Sequence, residues 1–310
     1  MTQIKEKIPS SITPKKIINF SPRLFCYCLL TVLAFEFLYP FFYMIATSFK
    51  SYEDIQNISV FWVPTGLNWK NFKLAAEAMN FGYGIRNSIA VTLVATIGHI
   101  VSCSLIGYGF ARYDFPFRNL LFIGVVLSTV IPVQTLLVSQ YMIYGKLKIL
   151  ETILPLVLPC FFGFGLRGGV YIFLFRQFFI RFPSSLEEAA QIDGCGRFKT
   201  FWRIAFPSAK APTMVALVLS MVWHWNDYYE PKIYLTGGPK TQMLTQSLPN
   251  LYTLLQEKQG EAEEIIELAT LYHEGVIMAA TAIAFLPILV AFVFLQRQFM
   301  QGVERSGLVE

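Results

Sequence analysis

Long apolar runs separated by shorter polar segments are the main pattern of this sequence. An α-helix needs about 20 residues to cross the ~30 Å apolar core of a bilayer. Runs of that length predict six membrane-spanning helices, at 24–48, 88–110, 120–142, 153–175, 213–235 and 276–295. The alternation over about 10 residues that is typical of membrane β-barrel strands does not occur in these runs.

Prolines lie inside several of the runs, at Pro40, Pro132, Pro155, Pro159 and Pro287. Spanning helices tolerate proline because neighbouring helices and bound water satisfy the carbonyls that a proline leaves free. The first run is longer than the apolar part of a signal peptide and follows a polar arm, so we expect it to be an uncleaved span. The predicted fold class is an all-α membrane protein with six transmembrane helices.

The composition agrees with a membrane protein. Of the 310 residues, 55% are hydrophobic, 16% aromatic and 15% charged, whereas soluble domains carry about 25% charged residues. This disfavours a soluble two-domain enzyme. The net charge of +5 is small and scattered, so we expect no nucleic-acid partner. The five cysteines form neither a disulfide framework nor a pattern of metal ligands, and the sequence predicts no metal site.

The positive charges predict the orientation. Most Lys and Arg residues lie in the N-terminal arm, in the connections after the second and fourth spans, and after the sixth span. Because cytoplasmic loops carry an excess of positive charge, both termini are predicted to be cytoplasmic. The expected organisation is a cytoplasmic arm at 1–23, a membrane domain of six spans at 24–299 and a cytoplasmic tail at 300–310.

Two longer segments, 49–86 and 231–275, fall on the opposite side of the membrane. The second ends in an acidic stretch at 257–274, in which apolar residues recur at roughly helical spacing. Two interpretations stay open for this stretch. It is either a solvated helix that merely links two spans or a surface that docks a partner protein.

The connection at 182–212, between the fourth and fifth spans, has the most informative local pattern. Ser185 with Glu188 three residues later predicts a capping box. A two-turn helix at 186–193 should follow, with Gly194 as its left-handed stop. The next piece is amphipathic and carries three aromatic residues, Phe198, Phe201 and Trp202. Small residues and aromatics favour docking of a partner, and the alternative is a helix lying on the membrane surface.

The same connection resembles the EAA loop of ABC importer permeases. The chain has Glu188-Ala189-Ala190, then Gly194, then Ile204-Ala205-Phe206-Pro207, in the spacing EAA-x3-G-x9-I-x-L-P with Phe206 where Leu is usual. Other segments resemble the second membrane subunit of the maltose-type sugar importers. They are Asn87-Ser88, Tyr108-Gly109-Phe110-Ala111-Arg112 with Phe115-Pro116, Ile131-Pro132, Arg176-Gln177-Phe178-Phe179, Trp225-Asn226-Asp227-Tyr228 and 296–302.

This resemblance implies an ABC type I importer permease fold in a bacterial cell membrane. The implied function is translocation of a sugar or oligosaccharide, together with a second permease subunit, two ATPase subunits and an extracytoplasmic sugar-binding protein. The chain has no phosphate-binding loop of its own. ATP and Mg²⁺ would therefore bind to the partner ATPase subunits, and we expect this chain to be no enzyme and to bind no cofactor.

In this family the EAA loop is a coupling helix that sits in a cleft of the ATPase. Glu188 would be a polar contact or cap, Ala189 and Ala190 the close-packing face, and Gly194 the turn. The full set implied for coupling is Leu186, Glu187, Glu188, Ala189, Ala190, Asp193, Gly194, Phe198, Ile204 and Pro207. The last three would support the loop against the membrane domain.

Polar and aromatic residues at membrane depth are candidates for a translocation pathway. They are Gln134, Arg167, Trp223, His224 and Asn226. The alternative for each is a hydrogen bond between helices or a packing role, and Trp223 could also be an interfacial anchor. Arg167, with glycines on both sides, is where a break in a helix is most expected.

Two other classes of function fit a membrane protein of this kind. A stand-alone secondary transporter of a small polar solute would favour inverted repeats with ionisable residues at the midplane, and no internal repeat is evident. An intramembrane enzyme would need a cluster of reactive side chains, whereas His99, His224 and His273 are far apart in the sequence. The ABC importer permease is the leading hypothesis, and the secondary transporter is its alternative.

Overall fold

The structure is a computed structural model that describes residues 14–238, 240–249, 251 and 273–305. Regular structure throughout these residues is helical, as predicted. Most of the acidic stretch at 257–274 lies outside the described residues, as do the arm before residue 14 and the tail from residue 306.

The helices follow one another along the chain without any strand between them in the described residues. They include α1 (Pro14–Ser48), α2 (Tyr52–Gln56), α3 (Lys70–Ala78), α4 (Phe81–Arg112), α5 (Arg118–Val130), α6 (Leu137–Lys146), α7 (Leu154–Val157), α8 (Gly168–Arg181), α9 (Ser184–Ile192), α10 (Arg197–Thr200), α11 (Phe206–Ser208), α12 (Lys210–Asn226), α13 (Tyr229–Tyr234) and α14 (Glu274–Arg305). Residues 244–249 are also helical. Two 3₁₀ turns, Val133–Thr135 and Pro159–Phe162, and a π-helical turn, Phe201–Ala205, connect some of them.

Three helices are long and apolar enough to cross a membrane. They are α4 and the apolar parts of α1 and α14, Pro22–Ser48 and Glu274–Val303. These helices correspond to the second, first and sixth predicted spans. The apolar side chains of α1 are largely exposed, Phe25 and Phe37 among them. Most of α1 therefore lies outside the packed core of this chain.

The third predicted span, 120–142, is broken. The turn at Val133–Thr135 separates α5 from α6. The carbonyl of Pro132 accepts the amide of Thr135 at 3.1 Å, and the nitrogen of Pro132 has no hydrogen with which to continue α5. The prediction of one unbroken helix here is wrong.

The fourth predicted span, 153–175, is also broken, and the break lies where the sequence predicts one. Gly165 has a φ of 106° and Arg167 a φ of 64°, so the backbone is left-handed between the turn Pro159–Phe162 and α8. A non-glycine residue rarely adopts such a φ. The expected break at Arg167 is confirmed.

The fifth predicted span corresponds to α12, which ends at Asn226 because Asp227 is extended. The segment before α12, Arg197–Ser208, meets it at a bend of 77°. If this bent pair crosses the membrane as one span, the described residues contain four candidate spans, and otherwise three. Broken helices do occur at membrane depth where surrounding protein satisfies the freed backbone groups.

α4 is the central helix of the core and packs against both α8 and α12. At Gly107 an added Cβ would lie 2.8 Å from Cβ of Phe175 and 2.9 Å from the amide nitrogen of Arg176. Such small-residue contacts let membrane helices approach closely. α12 packs in turn on α14, where Nε1 of Trp225 donates to the carbonyl of Ala284 at 3.1 Å. The packing brings the C-terminal ends of α4 and α8 together beside the loop that begins at residue 182.

The segment between α1 and α4 folds against the start of α14, where α3 packs. Asn71 of α3 is buried, and its Nδ2 donates to the carbonyls of Ser48 and Lys50, each at 2.9 Å. Nζ of Lys50 donates to the carbonyl of Phe61 at 2.7 Å. One buried amide side chain therefore holds the end of α1 against α3.

Replacing Asn71 by alanine should destabilise this segment, because two buried carbonyls lose their donor. An unsatisfied buried polar group costs about 1–3 kcal/mol, so the melting temperature of the purified protein should fall. Asn119→Ala is the matched control, because Asn119 is exposed on α5 and surface substitutions change stability by about 0.5 kcal/mol or less. Equal melting temperatures for the two variants would contradict the role given to Asn71.

Candidate functional site

The connection at 182–212 forms a helical unit that starts with α9. This helix begins directly after Pro183, which occupies the N-cap position and makes no side-chain capping bond. The predicted capping box is therefore wrong, because the early start places Ser185 already inside the first turn. Gly194 has a φ of 81°, so the predicted left-handed stop is confirmed.

After this stop the chain forms α10, the π-helical turn Phe201–Ala205 and α11, and then bends by 77° into α12. Phe201 is buried, and its ring centre lies 5.0 Å from that of Tyr108 in α4 and 6.3 Å from that of Phe179 in α8. Turns of π-helix occur frequently at functional sites. Here the turn packs the middle of the loop onto the membrane helices.

Arg112, the last residue of α4, connects the loop to the membrane helices through Glu187. Nε of Arg112 lies 3.0 Å from Oε1 of Glu187, and the two side chains are only 15% and 9% exposed. Nη2 of the same guanidinium donates to the carbonyl of Phe182. Removing one partner of a buried ion pair costs about 3–5 kcal/mol, because the other charge is left unpaired. The pair therefore holds α9 against the end of α4.

The exposed side of the loop carries three large apolar side chains among polar ones such as Gln191 and Lys199. Leu186 is 48% exposed, Ile192 86% and Phe198 67%, and Glu188 and Ala189 are exposed beside them in the sequence. We call these five residues the docking face. Clustered exposed apolar side chains commonly mark a surface that contacts another protein or a membrane.

The residues that the family resemblance implies for coupling divide between the two sides of the loop. Phe198 was expected to support the loop against the membrane domain, but its exposure shows that Phe201 fills that position instead. Outside the docking face, Asp193, Gly194 and Pro207 are also exposed, Ile204 is half-buried, and Glu187 and Ala190 are buried.

Two of the predicted pathway residues lie together beside the break in the fourth span. Cζ of Arg167 is 5.4 Å from the centre of the Trp223 ring, and the ring of Tyr171 lies 5.7 Å from that of Trp223. Arg167 is exposed and Trp223 is half-buried. An indole face beside a guanidinium offers an apolar surface together with several hydrogen-bond donors.

The other three pathway candidates have different surroundings. Gln134 is exposed in the turn after α5. Asn226 is exposed as well, and its Nδ2 donates to the carbonyl of Val222 on its own helix at 2.8 Å. His224 is only 4% exposed and lies in the core, with its ring centre 5.1 Å from that of His99.

Two features of the structure are not apparent from the sequence. One is the pairing of Arg112 with Glu187, although each residue lies in a segment that resembles the importer family. The other is the proximity of His99 and His224, which corrects the expectation that the histidines are far apart. Sγ of Cys160 is 3.6 Å from Nε2 of His224, so a thiol belongs to the same group.

Comparison with known proteins identifies the family. The family described as "Binding-protein-dependent transport system inner membrane component" matches residues 103–305. A diacetylchitobiose uptake system permease protein of Streptomyces coelicolor is 29% identical, over 89% of this chain and 94% of its own length. A probable ABC transporter permease protein of Pyrococcus horikoshii is 33% identical, over 69% of this chain and 77% of its own length.

A solved structure has the same fold. It is the crystal structure of a bacterial ABC transporter involved in the import of the acidic polysaccharide alginate, with a TM-score of 0.72. The similarity covers 94% of this chain and 100% of that chain at 19% sequence identity. The family match, which runs from the last third of α4 to the end of α14, shows that this chain belongs to the inner membrane components of binding-protein-dependent transport systems.

Proposed function

We propose that this chain is the membrane-spanning permease subunit of an ABC importer for a sugar or oligosaccharide, and that loop 182–212 couples it to an ATPase. The observation that carries the proposal is the docking face, an exposed apolar surface on a helix whose other side is held by α4. Helices that lie on membrane surfaces carry Lys and Arg on their polar face. The exposed charged residue of α9 is Glu188, whereas α10, which carries Phe198 of the docking face, has Arg197 and Lys199. The charge of the loop therefore does not distinguish the two, and the match to the components of binding-protein-dependent transport systems favours a protein partner.

The contacts of the loop suggest how movement would pass to the membrane helices. α9 is tied to α4 by the pair of Arg112 with Glu187, and α4 is packed tightly on α8 at Gly107. The end of the loop continues into α12 through the 77° bend. A rigid element that is tied to several helices can carry a displacement between two arrangements of those helices. Closure of the ATPase subunits would thus change access to the translocation pathway.

The complex that we propose contains this chain, a second permease subunit, two ATPase subunits and an extracytoplasmic sugar-binding protein. The ATPase subunits would bind ATP and Mg²⁺ and carry out hydrolysis. We propose six crossings, of which the third consists of α5 with α6 and the fourth of the segments on either side of Arg167. Both termini would then be cytoplasmic, which agrees with the distribution of Lys and Arg. Family membership favours this assembly over a stand-alone secondary transporter.

The proposal of a sugar substrate is supported by the relatives and by one surface of this chain. One relative is named for diacetylchitobiose uptake, and the transporter with the same fold imports alginate. Trp223 with Arg167 offers an indole face and a guanidinium at one place. A sugar ring can stack on the indole face while its hydroxyl groups accept hydrogen bonds from the guanidinium.

Ile192→Asp should weaken the association of the ATPase subunits, because it places a charge in an apolar contact. We expect their recovery with the purified permease to fall about tenfold or more, which corresponds to about 1.4 kcal/mol or more. Ile58→Asp is the matched control, since Ile58 is 97% exposed in the segment between α1 and α4. Normal recovery with Ile192→Asp would rule out the docking face as the ATPase contact.

Glu187→Gln should loosen the loop, because the buried guanidinium of Arg112 loses its counter-charge. We expect a lower melting temperature of the assembled transporter and slower ATP hydrolysis. The single variant Arg112→Gln and the double variant with both changes are measured as well. The double variant leaves no buried charge unpaired, so its melting temperature should fall by less than the sum of the falls in the two single variants. Strict additivity would show that the two residues act independently. Glu77→Gln is the control, because its side chain is 63% exposed.

Trp223→Ala should reduce uptake of the transported sugar without affecting the association of the ATPase subunits. At low sugar concentration the uptake rate should fall about tenfold. This corresponds to ~1.4 kcal/mol, a value typical of an aromatic contact. Uptake would be measured in proteoliposomes with the binding protein and a set of oligosaccharides that starts with diacetylchitobiose. Trp69→Ala, at a residue 64% exposed in the segment before α3, should transport normally. Equal uptake by both variants would remove Trp223 from the pathway.

A further inference from the structure

A group of metal-ligand side chains is buried in the core, away from the docking face. It consists of His99 in α4, Cys160 in the turn Pro159–Phe162 and His224 in α12, whose ligand atoms lie within 4.8 Å of one another. The three residues are 0%, 0% and 4% exposed. We propose that this His–Cys–His cluster binds a thiophilic transition-metal ion, Cu⁺ or Zn²⁺. The proposal does not depend on which solute is transported.

Two distances within the cluster agree with ligands that share one ion, and a rotation of the side chains would bring the ligand atoms that are farther apart within reach of it. An ion with metal–sulfur and metal–nitrogen bonds of about 2.3 and 2.1 Å in tetrahedral geometry places sulfur and nitrogen about 3.6 Å apart. Sγ of Cys160 and Nε2 of His224 are 3.6 Å apart. Two imidazoles bound to such an ion have ring centres about 5 Å apart, and those of His99 and His224 are 5.1 Å apart.

His99 is oriented as a ligand would be. Its Nδ1 is 3.3 Å from Oγ of Ser220, and its ring packs against Tyr171 at a centroid distance of 4.8 Å. Its Nε2 is buried and makes no hydrogen bond of normal geometry, although the backbone of Phe164 is near enough to interact with the ring. If Nδ1 donates its hydrogen to Ser220, Nε2 keeps a free lone pair. Metal-bound histidines typically have their second nitrogen held by such an outer hydrogen bond.

Gly165, in the break of the fourth span, lies beside two of the proposed ligands. A Cβ added to Gly165 would lie 3.0 Å from Sγ of Cys160 and 3.4 Å from Nε2 of His99. The thiol and the imidazole therefore converge on a position where the chain has no side chain. Gly165 has a φ of 106°, which other residues rarely adopt. The glycine is thus needed for the backbone, and a larger residue there would crowd the thiol and the imidazole.

Charge favours Cu⁺ over Zn²⁺ in the cluster itself. Cys160 would lose its proton to the solvent when it binds the metal, so two neutral imidazoles and one thiolate carry a single negative charge. With Cu⁺ the site is neutral, and with Zn²⁺ it carries one positive charge, which is unfavourable in apolar surroundings. Asp227 and Glu230 line a small cavity together with His224, and a carboxylate there could balance the additional charge of Zn²⁺.

The ion would join three separate parts of the chain. His99 and His224 come from two of the packed helices, and Cys160 comes from the broken segment before α8. Binding at three such points stabilises the arrangement that holds them together. Metal would therefore raise the melting temperature of the permease.

Metal content of the purified transporter complex tests the proposal. The complex is reduced, exposed separately to Cu⁺ and to Zn²⁺, cleared of loosely bound metal and measured by inductively coupled plasma mass spectrometry. We expect the wild type to hold about one ion per permease chain, and Cys160→Ser and His224→Gln each to hold less than about one tenth of that amount. Cys103→Ser is the matched control, because Cys103 is also fully buried but lies outside the cluster.

Two further measurements separate metal binding from a general loss of structure. Ser220→Ala keeps all three ligands and should weaken the metal affinity about 10- to 100-fold, as loss of an outer hydrogen bond does. X-ray absorption of the wild-type complex should show sulfur at about 2.3 Å and nitrogen at about 2.0–2.1 Å from the ion. Retention of Cu⁺ or of Zn²⁺ alone would support the proposal and identify the ion. A wild type that retains neither ion, or a Cys160→Ser variant that retains as much as the wild type, would overturn it.

Discussion

The buried contact between Arg112 and Glu187 is the interaction on which the candidate functional surface depends. A helix as short as α9 is marginally stable by itself, and an apolar surface such as Leu186 and Ile192 would otherwise turn inward. The guanidinium binds both the carboxylate and the carbonyl of Phe182, so one side of α9 is fixed. The apolar side then has to remain exposed. Exposure of the docking face is thus a consequence of how the other side of the loop is held.

α4 connects the parts of the molecule to which we assign functions. Arg112 at its end holds the loop, Gly107 five residues earlier allows close contact with α8, and His99, still earlier in the helix, contributes to the buried His–Cys–His cluster. In a bilayer, backbone groups need partners within the protein, so breaks such as the one at Arg167 require surrounding helices. α4 is one of the helices that surround this break. An ion in the cluster would attach the broken segment to α4 and α12, the helix that continues from the loop.

The broken spans explain why the pathway candidates do not form one surface. The left-handed backbone at Arg167 allows its side chain to reach Trp223, while His224, the neighbour of Trp223 in the sequence, lies in the core beside His99. Successive residues of a helix point in directions about 100° apart. One of the two can therefore serve a pathway and the other a buried cluster.

The sequence by itself determined the helical class, the three long spans, the left-handed stop at Gly194 and the break near Arg167, because each follows from local composition or from the backbone preference of one residue. It also carried the motif of loop 182–212, since spacing along a chain is a property of the sequence.

Only the tertiary structure decided that Pro132 interrupts a span while Pro40 and Pro287 do not, because this depends on what surrounds each proline. It also decided the pairing of Arg112 with Glu187, 75 residues apart, and the meeting of His99, Cys160 and His224. Such contacts arise from the packing of helices that are distant in the chain. The periodicity of the sequence does not predict which helix faces pack against one another.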